Sequence, residues 1–297
     1  MDFAILTDST CDLNSDLREN YDIDYVPMHF AIDGQDYIAD LDYKTLAPHD
    51  FYEVMRQGKR VFTAQVSAVD FKQKFTEYAL KGVDVLYISC SGALSASINS
   101  ARIVASEVMN NYPERKIVCV DSLVSGAGQG ILCIIASKLR KKGLSVEDVA
   151  QFIEQNKLKA NQEGTVEKLS YLRQAGRISG ARAFFGGLLN VKPIIISDVN
   201  GKNVSIEKVK GRKTSLDKIV ERTVVEFVKN DNYDDIFVMH ADCAQDAETV
   251  KEKLIAEIGI EGEKIHIGYI GPIVGASVGP GTVAVYFLGK QVEYCAE

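Results

Sequence analysis

Short apolar runs rich in Val and Ile recur through the first half of the chain, at Phe3 to Leu6, Val83 to Ser89 and Lys116 to Asp121, and each leads into a segment with helical spacing. Strand, helix, strand at this rhythm predicts a mostly parallel sheet flanked by helices. From Leu94 through Ile98, Ala101, Val104 and Val108 the apolar positions fall on one helical face, which is expected to pack on that sheet. Gly130 to Leu139 is apolar almost all round and ends in Arg140-Lys141-Lys142-Gly143, cations followed by glycine, as suits the end of a buried helix. Ser145 followed by Asp148 is a capping pattern for a further helix running toward Lys159.

The pattern then changes. Polar residues dominate from Lys157 to Gly164, and a domain boundary is expected there, giving an N-terminal α/β domain over 1–160 and a C-terminal mixed α/β domain over 161–297. Pro193 to Ser197 and Val204 to Val209 read as strands joined through Asn200-Gly201, a turn signal that predicts antiparallel pairing. A helix with Leu216, Ile219, Val220, Val224 and Phe227 on one face follows, then a strand at Ile236 to His240. A helix marked by Ala247, Val250 and Leu254 leads to strands at Lys264 to Ile270 and Thr282 to Leu288. The 297 residues agree with two domains, because one hydrophobic core stops growing at about 250–300 residues. Two cores imply a cleft.

Charge and cysteine usage narrow the function classes. A net charge of −7 argues against general affinity for nucleic acid or an anionic membrane surface. The one concentrated basic run, Lys208-Val209-Lys210-Gly211-Arg212-Lys213, reads as a solvated hairpin end, with a docking surface or phosphate contact as the alternative. Cys11, Cys90, Cys119, Cys133, Cys243 and Cys295 lie far apart without a Cys-x-x-Cys pair, as suits buried thiols in a reducing compartment. With no signal-peptide pattern at the start and no apolar run of ~18 residues, a cytoplasmic protein without a membrane span is expected.

Four polar clusters follow expected strands: Thr7 to Asp12, Thr63 to Ser67, Ser89 to Ser95 and Asp121 to Gly126. In open α/β sheets ligands bind at these strand ends, and N–H groups at a helix start seat an anion. Plain helix capping competes as an explanation. No Gly-x-Ser-x-Gly surrounds these serines. His29 and His49 fall in an expected loop region, His266 reads as structural, and His240-Ala241-Asp242 holds the likeliest functional histidine, with a satisfied core histidine as the bland reading. No metal-ligand spacing stands out, and Gly126, Gly128 and Gly130 miss the dinucleotide pattern because Ile131 stands where a further glycine belongs. Arg177, after Gly176, could reach a carboxylate or phosphate with its planar fork, the bland reading being a helix-ending glycine with a surface arginine. Gly271 to Gly281 reads as a glycine-dense loop that lets the backbone approach something closely.

Taken in order, these stretches resemble the DegV family of bacterial fatty-acid-binding proteins over nearly the whole chain. The family's Asp-Ser-x-x-Asp is matched by Asp8-Ser9-Thr10-Cys11-Asp12, and its Thr-Ser-Gln-Pro-Ser by Thr63-Ala64-Gln65-Val66-Ser67, with Ala64 and Val66 as replacements. Its Ser-Ser-Gly-Leu-Ser-Gly-Thr is echoed in Ser89 to Ser97, with Ala96 where glycine is usual. Asp121-Ser122, Gly176-Arg177-Ile178-Ser179, Leu189-Asn190-Val191-Lys192-Pro193 and His240-Ala241-Asp242 also fit. The resemblance implies a DegV-like two-domain fold holding one long-chain fatty acid between the domains, with no other cofactor and no metal.

On this reading Thr63 and Ser95 hydroxyls, with backbone N–H near Ala96, hold the carboxylate, and Arg177, Ser277 and Gly279 contribute mouth or phosphate contacts. Phe184, Phe185, Leu188 and Leu189 are candidate tunnel walls, with ordinary core as the alternative. Members that act with a fatty-acid kinase present the carboxylate for phosphorylation, and the His of the family's His-Thr-Gly-Pro-Gly is implicated. This chain has Ser277-Val278-Gly279-Pro280-Gly281 instead, which keeps the lipid expectation and weakens that of a kinase partner. The competing readings are an interdomain-cleft hydrolase or phosphotransferase using Ser95 or Asp8, and a lipid-responsive interaction module.

Overall fold

The computed structural model describes residues 3–179, 190–230 and 233–296. The expected tunnel walls Phe184, Phe185, Leu188 and Leu189 lie outside the described residues. The chain opens with β1 (Phe3–Asp8), α1 (Ser15–Tyr21) and β2 (Ile23–Val26). Next come β3 (Met28–Ile32), β4 (Gln35–Ala39), α2 (Pro48–Arg56) and β5 (Val61–Ala64), whose strands form an antiparallel sheet in the order β4-β3-β5. Then follow α3 (Ala68–Leu80), β6 (Asp84–Ser89), α4 (Ser97–Asn111), β7 (Ile117–Asp121), α5 (Ala127–Lys141) and α6 (Val146–Asn156). The long strands pair in parallel in the order β2-β1-β6-β7, as their apolar runs predict. Chain order reverses at β1, so the ends of β1 and β6 flank a switch point.

The small antiparallel sheet corrects the loop expected around the early histidines: His29 is in β3 and His49 in α2. Its strands are short, and β5 has no buried position, so little apolar alternation marks it.

The second half contains β8 (Ala160–Thr165), α7 (Leu169–Ala175), β9 (Ile178–Ser179), β10 (Val191–Ser197), β11 (Asn203–Lys210) and α8 (Arg212–Glu226). It continues with β12 (Ile236–His240), α9 (Ala244–Ile258), β13 (Ile265–Tyr269), α10 (Pro272–Val278) and β14 (Val283–Leu288). Its strands form a mixed seven-stranded sheet in the order β13-β12-β14-β8-β10-β11-β9. The polar run that the sequence presents as a boundary contains β8, a central and fully buried strand. Its polar side chains are tolerated because they are partnered: Asn161 donates to Lys159 O and Lys290 O, and Glu163 receives Arg222 at 2.7 and 3.0 Å.

Helix α5 touches strands of both large sheets, which is why its sequence is apolar almost all round. Through it a single apolar core runs from Phe3 and Leu132 to Phe237 and Tyr286, while separate clusters fill the outer layers. The α5 glycines serve this close packing: a Cβ at Gly130 would lie 2.7 Å from Leu13, and one at Gly128 would lie 2.7 Å from Val124 and 3.2 Å from Tyr286. The expected glycine-dense loop at Gly271 to Gly281 is corrected too, since Pro272–Val278 is helical with Pro at its first turn. The close approach expected of those glycines is real, because a Cβ at Gly275 would lie 2.4 Å from the Tyr52 hydroxyl.

Candidate ligand cavity

All four polar clusters at strand ends converge on one cavity of about 430 Å³. Thr10 comes from beyond β1, Thr63, Ala64 and Gln65 from the end of β5, Cys90 to Ala96 from beyond β6, and Ser125 from beyond β7. The second half closes it with Gly176, Arg177, Asn203 and the α10 residues Ile273, Val274, Ser277 and Val278. Residues from both halves of the chain therefore share one wall.

The Asp8 to Asp12 stretch is mainly a staple for this wall. Asp8 is fully buried and saturated: Oδ1 accepts from Thr10 N at 3.0 Å and from the Thr10 hydroxyl, while Oδ2 accepts from Tyr87 OH at 2.8 Å and Cys90 N at 3.4 Å. Ser9 Oγ accepts from Met28 N at 2.8 Å, tying β1 to β3. Thr10 Oγ1 also lies 2.7 Å from Gln129 Oε1, so its one proton is shared between Asp8 and Gln129, and Gln129 Nε2 donates to Thr7 Oγ1 at 2.7 Å and to Ile88 O at 3.2 Å. Asp12 Oδ1 accepts from Gly271 N at 3.0 Å and so fixes the start of α10. Burial pushes the Asp12 carboxyl well above its ordinary range, with the Gly271 N–H opposing and Asp8 adding to the rise. Gln129, one residue before the run read as apolar, is the organiser that the sequence reading missed; a lone amide entering a buried helix is the signal.

The loop that carries Ser95 is held in a similar way. Gly92 N lies 3.1 Å from each Asp121 carboxylate oxygen, and Asp121 Oδ1 also accepts from Leu123 N at 3.0 Å. A Cβ at Gly92 would lie 2.7 Å from Asp121 Oδ2, so the close approach requires glycine. Ser95 Oγ accepts from Ser97 N at 3.3 Å and lies 3.0 Å from Ser97 Oγ, which in turn accepts from Val66 N at 3.2 Å. Ser97 thus positions Ser95 and was not singled out from sequence. Cys90 also lines the wall, but burial, reinforced by Asp8, pushes its thiol up and away from reactivity.

The structure brings Thr63, Ser95, Ala96, Arg177 and Ser277 to the cavity wall and leaves Gly279 aside, packed against the Tyr171 ring. The Thr63 and Ser277 hydroxyls have no hydrogen-bond partner among the described residues. Arg177 reaches across to the Ser95 loop, with Nε donating to Leu94 O at 3.1 Å and Nη1 to Ala175 O at 2.7 Å. A second recess of about 200 Å³ shares Thr63, Arg177 and Ser277 with the main cavity and adds Lys59, Arg60 and Gln174. On the inner side the mixed sheet provides a floor in which Gly164 pairs with Ala284 on β14 and Ile195 on β10.

His240-Ala241-Asp242 lies away from this wall. His240 Nδ1 accepts from Cys243 N at 3.3 Å, and Asp242 binds His49 at 3.0 Å and Arg56 at 2.6 Å, latching α2 onto the turn after β12. His266 is 3.0 Å from Asp235 and stacks on Phe237. In the basic run Arg212 is taken up by Asp246 at 2.7 and 3.0 Å. Among the described residues no helix is long and apolar enough to cross a membrane, and no cluster of His, Cys, Asp and Glu could hold a metal ion.

The model of a family described as uncharacterised DegV proteins matches residues 2–290. The chain belongs to the DegV family. A DegV domain-containing protein of Clostridium perfringens is 36% identical over 291 residues, 98% of this chain and 99% of that one. Among solved structures, a DegV family protein of Thermus thermophilus described by its fatty acid binding matches with a TM-score of 0.84 and 26% identity, covering 98% of this chain and 100% of its own. DegV of Bacillus subtilis, described as a fatty acid binding protein, matches with a TM-score of 0.81 and 27% identity over 98% and 100% of the two chains. The mixed α/β architecture with its parallel sheet is that of these DegV structures.

Proposed function

We propose that this chain carries one long-chain fatty acid, with the carboxylate at Thr63 and Ser95 and the acyl chain running inward toward the mixed sheet. The observation that carries the reading is the convergence of unpartnered hydroxyls at the outer wall with Ile273, Val274 and Val278 behind them in one cavity. Ser97 can hold Ser95 so that the Ser95 proton points to a ligand oxygen, and the N-cap of α4, Ala96, has no side-chain group to bond the first-turn N–H groups beyond the one that Ser95 Oγ takes from Ser97. Burying a methylene gains about 0.8 kcal/mol, so a chain of roughly sixteen carbons gains on the order of 10 kcal/mol before ordering costs, enough to survive purification. The fatty-acid binding described for the Thermus thermophilus and Bacillus subtilis proteins supports the same ligand.

Presentation of the carboxylate to a kinase is the finer part of the proposal. The recess beside Thr63 and Ser277 is lined by Arg60 and Arg177, with Lys59 paired to Asp33 at 2.8 Å, and the two guanidinium groups favour a growing negative charge near the carboxylate end. The hydrolase reading has less support, because Asp8 has its acceptor capacity filled and no histidine among the described residues lines the cavity beside Ser95.

The deciding experiment is to denature the purified protein and identify what it releases by mass spectrometry. One equivalent of a long-chain fatty acid is expected. A protein that arrives empty and takes up no added fatty acid overturns the carrier reading.

A further inference from the structure

Past Ser125 and Asn203 the cavity narrows to an inner pocket of about 30 Å³ between α10 and the mixed sheet. A pocket built only for the end of an alkyl chain is best lined by hydrocarbon, because polar groups left there lose water and gain nothing. Leu172, Ile195 and Val274 supply such a wall. The floor differs. Register sets Tyr286 beside Gln162 and Ser197 beside Asn203, and Gln162 joins the pairs by donating to Asn203 Oδ1 at 3.3 Å and accepting from Ser197 Oγ at 3.5 Å.

Tyr286 and Ser125 stand out because both line this pocket, at 2% and 6% exposure, and neither hydroxyl has a hydrogen-bond partner among the described residues. Gly126 keeps space at the phenol, since a Cβ there would lie 2.5 Å from the Tyr286 oxygen. Burial, with Asp12 nearby, raises the pKa of that phenol and keeps it a neutral donor. Gln162 Nε2 is taken up by Asn203 and Gln162 Oε1 by Ser197, while Thr165 Oγ1, which also lines the pocket, is buried without a partner among the described residues, so the open hydroxyls here are those of Tyr286, Ser125 and Thr165.

We propose that Tyr286 and Ser125 form a subsite for a hydroxyl carried along the ligand's chain, so that the protein takes a hydroxylated long-chain acid in preference to the unsubstituted one. The inference rests on the fatty-acid reading and names the kind of acid. A site that hydrogen-bonds a ligand hydroxyl rejects the analogue lacking it, because its own buried groups are then left unpaired. A trapped water is the competing occupant, since a pocket of this size can hold one that finds two or more polar partners.

The test uses the delipidated full chain in equilibrium dialysis against stearic acid and a set of hydroxystearic acids substituted at successive carbons. At least one hydroxy acid is expected to bind about tenfold more tightly than stearic acid, with that ratio falling toward one in Tyr286→Phe and roughly threefold in Ser125→Ala. Thermal melting of both variants confirms that folded proteins are being compared. Stearic acid binding as tightly as every hydroxy acid, or a preference that survives in both variants, overturns the subsite while leaving the carrier reading intact; water then fills the pocket. If the wild-type chain binds neither kind of acid, both readings fall.

Discussion

Two sets of polar side chains meet at the cavity, and they have similar composition but opposite bonding. In the set around Asp8 nearly every donor and acceptor is used within the protein, from Tyr87 and Cys90 on one carboxylate oxygen to Gln129 and Thr7 across the helix. In the set formed by Thr63, Ser277, Ser125 and Tyr286 the hydroxyls have no partner among the described residues. A density of Ser, Thr and Asp at strand ends therefore does not identify a ligand site. What separates scaffold from site is whether the hydrogen-bonding capacity has already been spent.

That division can be broken from either side. Asp8→Ala leaves Thr10 N, Tyr87 OH and Cys90 N without their acceptor, and a loss of about 3 kcal/mol in urea unfolding is expected. The molecules that remain folded should still carry lipid. Thr63→Ala combined with Ser95→Ala should do the reverse, weakening fatty-acid affinity by about 100-fold with the unfolding midpoint in place. A double variant that retains lipid like the parent would remove the head-group assignment.

Gly92→Ala probes the junction of the two sets, since its Cβ would press on Asp121 and shift the loop that carries Ser95. A loss of about 1 kcal/mol in stability and a few-fold loss in affinity should appear together. Ser277→His should raise acyl phosphate formation by an added fatty-acid kinase without moving the melting temperature; no increase would place the block elsewhere or deny the partnership. The smallest effect belongs to His240, whose pKa is lowered by burial, partly offset by Asp242 and Glu248. The unfolded chain then binds the proton more readily, so this contribution to stability is present above the ordinary pKa near 6.5 and is lost as pH falls through the lower folded value. His240→Gln should flatten that part of the stability profile and leave lipid binding as it was.

Much of the fold was legible because long strands and covering helices carry their periodicity openly. Ile236 to His240 was read residue for residue, and the hairpin at Asn200-Gly201 announced its turn. Where burial depends on partners, sequence was silent: β8 reads as a polar stretch because Glu163 needs Arg222, distant in sequence, to be buried. The same holds for the site. Thr63, Ser95, Ala96, Arg177 and Ser277 reach the cavity as the family pattern implied, but Ser97, Gln129 and Tyr286 have roles set by neighbours that only folding supplies. Gly279 shows the converse, a motif residue whose place is taken by packing against Tyr171.

Gly164 lines the inner pocket at the centre of the mixed sheet. A Cβ added there would meet Ala284 Cβ at 3.5 Å and the carbonyls of Ile195 and Val283 at 3.7 Å, all ordinary contacts, and its backbone is not in the left-handed region that favours glycine. A methyl therefore fits at this position, in contact with both neighbouring strands, and the backbone does not require glycine. On the carrier reading, Gly164→Ala would trim the inner pocket by one methyl and favour a slightly shorter acid, while the staples around Asp8 stay untouched. Lineages that share this scaffold could change diet by such steps without having to relearn how to fold.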